Sequence, residues 1–281
     1  MRKGYTFPLI VNSLEDISKF PNLQNLYIEG QNVKDIDPIT YKYSWNEIVL
    51  TSNPIFDFSA LNQIQVNHFI YAGYYNYVFS YINNDYTNNP TLSKSEKVIY
   101  ENFASKLSEI FSIMKNVIDK NITPDMTRGE KIEVINDWII HNIKYDYNSN
   151  YFNNISNFYT TIDENYYGEA SDVLECSILH GYAICGGYAD VFEIFCDMLD
   201  IPCIKMPGRA NFDNFEQHAW NIVELEDKNF YHVDTTWNCT DNIYLLITDD
   251  EMSSDHIWVK EDLEKRFNFK KENCHFFNSP F

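Results

Sequence analysis

A nearly continuous apolar segment follows Cys185 and constrains the fold more than any other part of the chain. From position 188 to position 199 only three acids interrupt it, at positions 190, 193 and 197. Because these acids stand at i, i+3 and i+7, they occupy one narrow stripe of an α-helix. A helix with so little polar surface is predicted to lie in the centre of a domain. The segment Asp200-Ile-Pro202 ends it.

Two glycines, Gly186 and Gly187, follow Cys185 in the first turn of this predicted helix. The free N–H groups and the dipole of a helix N-terminus favour the thiolate form of a cysteine. The glycines leave room for a substrate carbonyl beside the sulfur, and the backbone N–H of Cys185 can then donate to an oxyanion. A cysteine on an apolar helix is more often core filler. That alternative stays open for Cys185 and is the one favoured for Cys196 and Cys203.

A predicted hairpin supplies the partners that a nucleophilic cysteine needs. Its strands are 218–225 and 230–237, and they carry His218 and Asp234. A histidine takes and returns the proton of the thiol, and a carboxylate holds the histidine's tautomer. In an antiparallel pair the numbers of facing residues have a constant sum. His218 and Asp234 therefore share a face only if the loop has an odd number of residues, such as three or five, and an even number excludes the triad.

Four aromatic side chains are candidates for the walls of a substrate cleft: Trp220, Trp237, Phe212 and Phe215. The two tryptophans lie on the hairpin and would wall the cleft or belong to the core. The two phenylalanines lie in a predicted polar loop, 207–217. We expect this loop to form walls of the substrate cleft.

The remaining histidines give no metal site. His232 lies one strand period from Asp234, so it would face the site or cover its edge. His256 has no ligand set and is assigned no role, and Cys274-His275 is too short a pattern for zinc.

Residues 1–82 carry an internal period of 22 residues. Apolar positions recur at this spacing in five pairs: Leu26 and Ile48, Ile28 and Leu50, Val33 and Ile55, Ile36 and Phe58, Ile39 and Leu61. Gln31 and Asn53 are also 22 residues apart, and we expect both to satisfy backbone groups inside a turn. The pattern resembles the internalin-type leucine-rich repeat. About two and a half repeats cannot bury their own faces, so this segment is expected to dock on the rest of the chain as a cap.

The rest of the chain is predicted to be a linker, 83–93, and a catalytic domain, 94–281, with its core at 127–256. Helices are expected at 95–120 and 128–143, the second after a capping box at Thr127 and Glu130. The net charge of -20 argues against nucleic acid and anionic membranes as partners. No apolar run indicates a membrane span or signal peptide. The six cysteines include no CxxC pair, which favours reduced thiols and a cytoplasmic location.

From about Thr127 to His256 the chain closely resembles the transglutaminase-like superfamily of cysteine enzymes. The resemblance rests on the order and spacing of five segments: Asn142-Ile-Lys-Tyr-Asp146, Cys185-Gly-Gly-Tyr-Ala189, Ile201-Pro-Cys203, His218-Ala-Trp-Asn221 and Tyr231-His-Val-Asp-Thr-Thr-Trp237. The tail from position 246 to 256 is similar to the segment after the core in bacterial members. The resemblance implies an α+β, papain-like fold, in which a central helix bearing the cysteine packs on an antiparallel sheet bearing the histidine and the aspartate.

The resemblance further implies acyl transfer, with Cys185 as nucleophile, His218 as general base and acid, and Asp234 as the orienter of the histidine. The substrate would be a protein or peptide, and proteolysis, deamidation and crosslinking stay open. No metal or organic cofactor is implied, and no cluster of calcium ligands is present in the sequence. Two features depart from the family: the hairpin turn lacks the usual Asp-Gly, and the side-chain oxyanion donor is not placed, with Tyr182 and His180 as candidates. The alternative function is a catalytically silent scaffold for protein interaction.

Overall fold

The computed structural model describes residues 11–51, 53–72, 78–82, 94–147, 174–210, 216–240, 243–260 and 267. The chain divides into two compact units, with the main boundary near residue 105. The predicted linker 83–93 lies outside the described residues, so the predicted domain boundaries stay predictions. Among the helices that the structure describes, none combines the length and the apolar character that a membrane crossing requires.

Three parallel strands with a regular spacing form the sheet of the first unit. They are β1 (Asn25–Glu29), β2 (Ser44–Thr51) and β3 (Gln65–Ala72), and β4 (Val78–Ile82) pairs antiparallel with β3. Short 3-10 helices begin at residues 15, 37 and 59. In the register of β1 and β2, Leu26 faces Ile48 and Ile28 faces Leu50, so the paired residues differ by the 22 positions seen in the sequence.

Gln31 and Asn53 make equivalent hydrogen bonds in successive turns of this unit. Each accepts from the backbone N–H of a valine, Val11 at 2.8 Å and Val33 at 3.4 Å. Each also donates to the backbone carbonyl two residues earlier, at 3.1 and 2.8 Å. The buried Asn53 donates in addition to the carbonyl of Ile28 at 2.9 Å. Equivalent side chains thus satisfy equivalent turns. The leucine-rich-repeat assignment and the docking as a cap stay predictions.

The second unit contains helices and an antiparallel sheet. The helices are α1 (Lys94–Asn121), which spans the division near residue 105, α2 (Arg128–Asn142), α3 (Cys185–Met198), α4 (Thr235–Asn238) and α5 (Asp249–Met252). The short strands β5 (Lys144–Tyr145) and β6 (Tyr182–Ala183) pair in parallel. The main sheet has the order β10-β9-β8-β7-β11, with β7 (Cys203–Ala210), β8 (Glu216–Glu224), β9 (Phe230–Val233), β10 (Leu245–Ile247) and β11 (His256–Ile257).

Helix α3 is the centre of this unit, as its apolar sequence predicts. It packs against β7, β8 and α2, and even its acids Asp190 and Glu193 are buried. Lys205 of β7 pairs with Asp190 at 2.9 Å, which compensates the buried charge. The side-chain amide of Asn221 donates to the carbonyl of Ala189 at 3.0 Å and ties β8 to the helix. The predicted α+β class, with a central helix on an antiparallel sheet, is confirmed.

The boundaries of two predicted segments are wrong. Residues 207–210 and 216–217 of the expected loop 207–217 belong to strands, because β7 continues to Ala210 and pairs with β8 along its whole length. The phenylalanines at positions 212 and 215 lie outside the described residues. Strand β9 ends at Val233 and not at Trp237. The side chain of Asp234 accepts from the N–H groups of Thr236 and Trp237, and this capping turns the chain into α4.

Candidate active site

Cys185 is the first residue of α3 and is half-exposed. The residue before it, Ile184, has an extended backbone and an aliphatic side chain, so it supplies no side-chain cap to the first turn. The free N–H groups of the first turn therefore lie at the end of the helix that carries the sulfur. Gly186 and Gly187 are buried directly behind. The five cysteines within the described ranges are free thiols, and Cys185 is placed as the sequence predicts.

The hairpin brings His218 and Asp234 together. Strand β8 ends at residue 224 and β9 begins at residue 230, so the loop has an odd number of residues. Asn221 faces Val233 and Ile222 faces His232, which gives the even sum that the sequence argument requires. The His218 Nε2 atom lies 2.6 Å from Oδ2 of Asp234. The loop therefore satisfies the condition that places His218 and Asp234 on the same face of the hairpin.

Asp234 is fully buried and receives four hydrogen bonds. Its Oδ1 accepts from the N–H groups of Thr236 at 3.0 Å and Trp237 at 3.1 Å. Its Oδ2 accepts from His218 at 2.6 Å and lies 3.2 Å from Nε2 of His256. Burial raises the pKa of this carboxyl, but the charges and hydrogen bonds of the two histidines outweigh burial and lower the pKa to about 2. Asp234 is therefore a carboxylate throughout the neutral range.

His218 lies between this carboxylate and the thiol. Burial lowers the pKa of its imidazole, but the charge and hydrogen bond of Asp234 act against burial and, with a smaller contribution from Cys185, raise the pKa to about 10. The imidazole is therefore protonated at neutral pH. Because Asp234 engages Nε2, Nδ1 is the ring nitrogen that serves the hydrogen bond with Cys185. An imidazolium beside the sulfur favours the thiolate.

Trp220 and Trp237 enclose His218, but they differ in exposure. Their rings lie 6.0 Å and 5.6 Å from the imidazole. Trp237 is half-exposed, which suits a cleft wall. Trp220 is fully buried, so its assignment as a cleft wall is wrong and it belongs to the core, which is the alternative that the sequence left open.

A second histidine, His232, is hydrogen-bonded to Trp220. The indole N–H of Trp220 donates to Nδ1 of His232 at 2.9 Å. Because Nδ1 of His232 accepts this hydrogen bond, Nε2 of His232 carries the ring proton and donates to Asp249 at 2.8 Å. Asp249 also forms an ion pair with Lys260 at 3.2 Å. Burial is the largest influence on His232 and lowers its pKa. His232 is thus buried and is engaged at both ring nitrogens, by Trp220 and by Asp249.

The two candidate oxyanion donors lie just before α3. Tyr182 is half-buried in β6, and the exposed His180 has Nε2 at 3.7 Å from the buried carboxylate of Glu175. The role of Tyr182 or His180 as oxyanion donor stays a prediction.

His256 is the functional candidate that sequence reasoning missed. The sequence assigns it no role, yet it is buried against Asp234. The pairing of β11 with β7, in which His256 faces Ala210, carries it to the site from the far end of the sheet. The only sequence signal was its position at the end of a tail similar to that of bacterial transglutaminase-like proteins.

A metal ion could find three ligand atoms in this cluster. His218, Asp234 and His256 each offer one, and all lie within 4.8 Å of one another. The same atoms already hydrogen-bond among themselves, so a cation would have to displace the protons between them. We assign no metal to the site.

Part of the chain is similar to known proteins. Residues 115–235 match the family model described as the transglutaminase-like superfamily. This region is a transglutaminase-like domain. Over 117 residues the chain is 29% identical to the kyphoscoliosis peptidases of Mus musculus and Homo sapiens, covering 38% of this chain and 15% of each relative. The chain thus spans a small part of the curated relatives' length.

Two solved structures are similar to this chain at lower sequence identity. One is a candidate cysteine protease from Cytophaga hutchinsonii, with 16% identity, a TM-score of 0.32 and coverage of 45% of this chain and 37% of that one. The other is a TGase, with 16% identity, a TM-score of 0.36 and coverage of 60% and 40%.

Proposed function

We propose that the transglutaminase-like domain is a cysteine-dependent enzyme that cleaves or transfers the acyl group of an amide in a protein or peptide. Cys185 is the nucleophile, His218 the general acid and base, and Asp234 the carboxylate that orients the histidine. The observation that carries the proposal is the placement of His218, with Nε2 at 2.6 Å from Asp234 and with Cys185 close enough to contribute to the raised pKa of its imidazole. This is the arrangement that activates a thiol for acyl transfer.

The reaction depends on which atoms carry protons. The thiolate of Cys185 attacks the amide carbon, and the carbonyl oxygen becomes an oxyanion that the N–H groups at the start of α3 can stabilise. The Nδ1 proton of His218 passes to the departing amine, and a thioester remains on the sulfur. Water or a second amine then attacks the thioester and gives a proton to His218, and the thiolate leaves.

Hydrolysis is the outcome with the most support. The two curated relatives are named as peptidases, although the region of likeness is 15% of their length. A half-exposed sulfur is accessible to water once the thioester has formed. Deamidation and crosslinking both form the thioester on a glutamine side chain with ammonia as the leaving group, and they differ in whether water or a lysine amine attacks it.

The first test measures alkylation of Cys185 by iodoacetamide from pH 5 to 9, with the labelled peptide quantified by mass spectrometry. We expect fast alkylation that persists well below the pH at which an ordinary thiol ionises, and its loss in His218→Ala. His141→Ala is the matched control, because His141 is exposed and its Nδ1 contacts only the backbone carbonyl of Asp137 among the described contacts. Labelling of the wild-type protein at the rate of an ordinary thiol would favour the silent scaffold.

The second test identifies the reaction. Wild type and Cys185→Ala are incubated with the same proteome, and the products are compared by mass spectrometry. New N-termini indicate proteolysis, glutamate at former glutamine positions indicates deamidation, and isopeptide-linked peptides indicate crosslinking. No difference between the two samples would contradict the proposal.

A further inference from the structure

The buried histidine at position 256 makes two close contacts with carboxylates. Its Nε2 lies 3.2 Å from Oδ2 of Asp234, the oxygen that also binds His218. Its Nδ1 lies 2.6 Å from Oδ1 of Asp255, and the other oxygen of Asp255 accepts from the hydroxyl of Tyr244 at 2.7 Å. A chain of hydrogen bonds therefore runs from Tyr244 through Asp255 and His256 to the carboxylate of the proposed triad.

The chemistry of the partners fixes where the protons lie. Asp234 already accepts from three other donors and is ionised, so it has no proton to give. The Nε2 atom of His256 must therefore donate to Asp234. A proton also lies between Nδ1 and Asp255, because two bare acceptors at 2.6 Å would repel one another. Both nitrogens of His256 are consequently engaged, and the ring cannot rotate without losing both contacts.

Aromatic rings hold the imidazole of His256 in this orientation. The centroids of Trp237, Trp220 and Tyr244 lie 4.5, 4.9 and 5.6 Å from its centroid, and His218 lies at 5.5 Å. The titratable groups that interact with His256 within the described part of the chain include two aspartates, one tyrosine, His218 and His232. His256 is enclosed by these rings and donates to the carboxylate of the proposed triad, so it is placed to influence the active site.

We propose that His256 is a positioning residue of the active site, which acts by holding Oδ2 of Asp234 at the place where His218 needs it. The inference rests on the proposed function, because it assigns His256 a part in the same acyl-transfer machinery. Oδ1 of Asp234 is fixed by the start of α4 and Oδ2 is fixed by His256. Both oxygens of the carboxylate are then held in place, so the carboxylate does not have to move to hydrogen-bond with His218.

Two substitutions separate the donor to Asp234 from the rest of the side chain. In His256→Gln the amide nitrogen can occupy the place of Nε2 and still donate to Asp234. In His256→Asn it can reach only the place of Nδ1, toward Asp255. Alkylation of Cys185 at pH 6 is the readout, and both proteins are checked for cooperative melting. We expect His256→Gln to stay close to the wild-type rate and His256→Asn to be about tenfold slower, as expected for the loss of a charge-assisted hydrogen bond.

Equal rates in the two variants would overturn the inference, whether both equal the wild type or both are equally slow. The second case is what a purely structural histidine would give. The wild-type protein supplies an independent test if neither variant folds. Nuclear magnetic resonance should show a slowly exchanging Nε2 proton of His256, and this proton should shift in Asp234→Asn. The absence of an Nε2 proton, or an Nε2 proton that Asp234→Asn leaves unchanged, contradicts the proposal.

Failure of the proposed function gives a different pattern. In that case Cys185 of the wild-type protein reacts like an ordinary thiol and His218→Ala has no effect, while the ring protons of His256 still report its bond to Asp234. Failure of the inference alone leaves fast, His218-dependent alkylation in the wild type and no difference between His256→Gln and His256→Asn.

Discussion

Replacing Asp234 by asparagine tests the electrostatics of the site with the smallest change in shape. The asparagine Oδ1 can still accept from the N–H groups of Thr236 and Trp237, so the start of α4 is kept. At the place of Oδ2 it presents an N–H donor to His218 and His256, which are donors themselves. The imidazolium of His218 then loses its main partner, and only the smaller contribution of Cys185 still opposes the burial that lowers its pKa.

The interaction is large enough to decide the protonation of His218. The pKa of His218 is raised from 6.5 to about 10, and that of Asp234 is lowered from 3.8 to about 2. At 1.36 kcal/mol per pKa unit, the first shift corresponds to about 5 kcal/mol and the second to about 2 kcal/mol. Burial opposes both shifts, Cys185 adds to the first and His256 adds to the second, so the two shifts differ and each gives the order of magnitude of the coupling between His218 and Asp234. Its loss returns His218 to the neutral form at neutral pH.

The consequence for the thiol is a measurable fall in rate. An ordinary thiol is about 0.3% thiolate at pH 6, so half-ionisation at this pH raises the thiolate population about 150-fold. The weaker basicity of such a thiolate lowers its nucleophilicity by about 10- to 18-fold, because the rate follows basicity with a slope of about 0.4–0.5. The net advantage that an ion pair can give a thiol at pH 6 is therefore about tenfold. We expect Asp234→Asn to lose most of it.

The assay is the second-order rate of iodoacetamide labelling at Cys185, read from the peptide that contains it. Asp250→Asn is the control, because it removes one carboxylate from an exposed position of α5 and leaves the net charge the same as in Asp234→Asn. A folded Asp234→Asn protein that labels at the wild-type rate at pH 6 would refute the reasoning.

The same pair gives the stability of the protein a defined pH dependence. The raised pKa of His218 contributes stability that is complete below pH 6.5 and is lost as the pH rises through about 10. The lowered pKa of Asp234 contributes stability that is complete above pH 3.8 and is lost as the pH falls through about 2. The difference in free energy of unfolding between wild type and Asp234→Asn should thus be largest between pH 3.8 and 6.5. A difference independent of pH would contradict this account.

Three further substitutions test the packing. A Cβ at Gly208 would lie 2.4 Å from the ring of Trp220, so Gly208→Ala should lower the free energy of unfolding by about 1–3 kcal/mol and slow Cys185 labelling; an unchanged urea midpoint would refute the clash. Asn53→Ala removes three buried hydrogen bonds and should cost about 3 kcal/mol or more by thermal unfolding, whereas a loss under about 1 kcal/mol would contradict their importance. Thr127→Ala removes the N-cap of α2, and circular dichroism melts should show a loss of about 1 kcal/mol, with no change counting against the cap.

Local signals in the sequence predicted the helices well. The capping box at Thr127 marks the first residue of α2, and the apolar run after Cys185 has the length and burial of α3. These features depend on residues within a few positions of one another, so a single sequence contains them. The hairpin was predictable for the same reason, because its register depends on the length of one short loop.

The misplaced boundaries have a different cause. Strand β7 continues past Pro207 because its partner β8 pairs with it as far as Ala210, and the sequence between them does not show where a distant partner ends. Strand β9 stops early because one side chain, that of Asp234, hydrogen-bonds to backbone N–H groups ahead of it. His256 was missed because its meaning depends on β11, a strand two residues long, reaching the far edge of the sheet.

The end of β9 explains why the triad does not depend on strand register alone. A carboxylate in the middle of a strand would be oriented only by its rotamer, whereas Asp234 stands where the strand turns into α4 and is held there by two backbone N–H groups. One oxygen is thereby fixed to the backbone and the other is presented to His218. The turn that shortens β9 is the same turn that orients the acid, so a substitution that restored strand at Thr235 and Thr236 would lengthen the sheet and disable the site. Lengthening the strand in this way should abolish the low-pH reactivity of Cys185 even though Cys185, His218 and Asp234 all remain in the sequence.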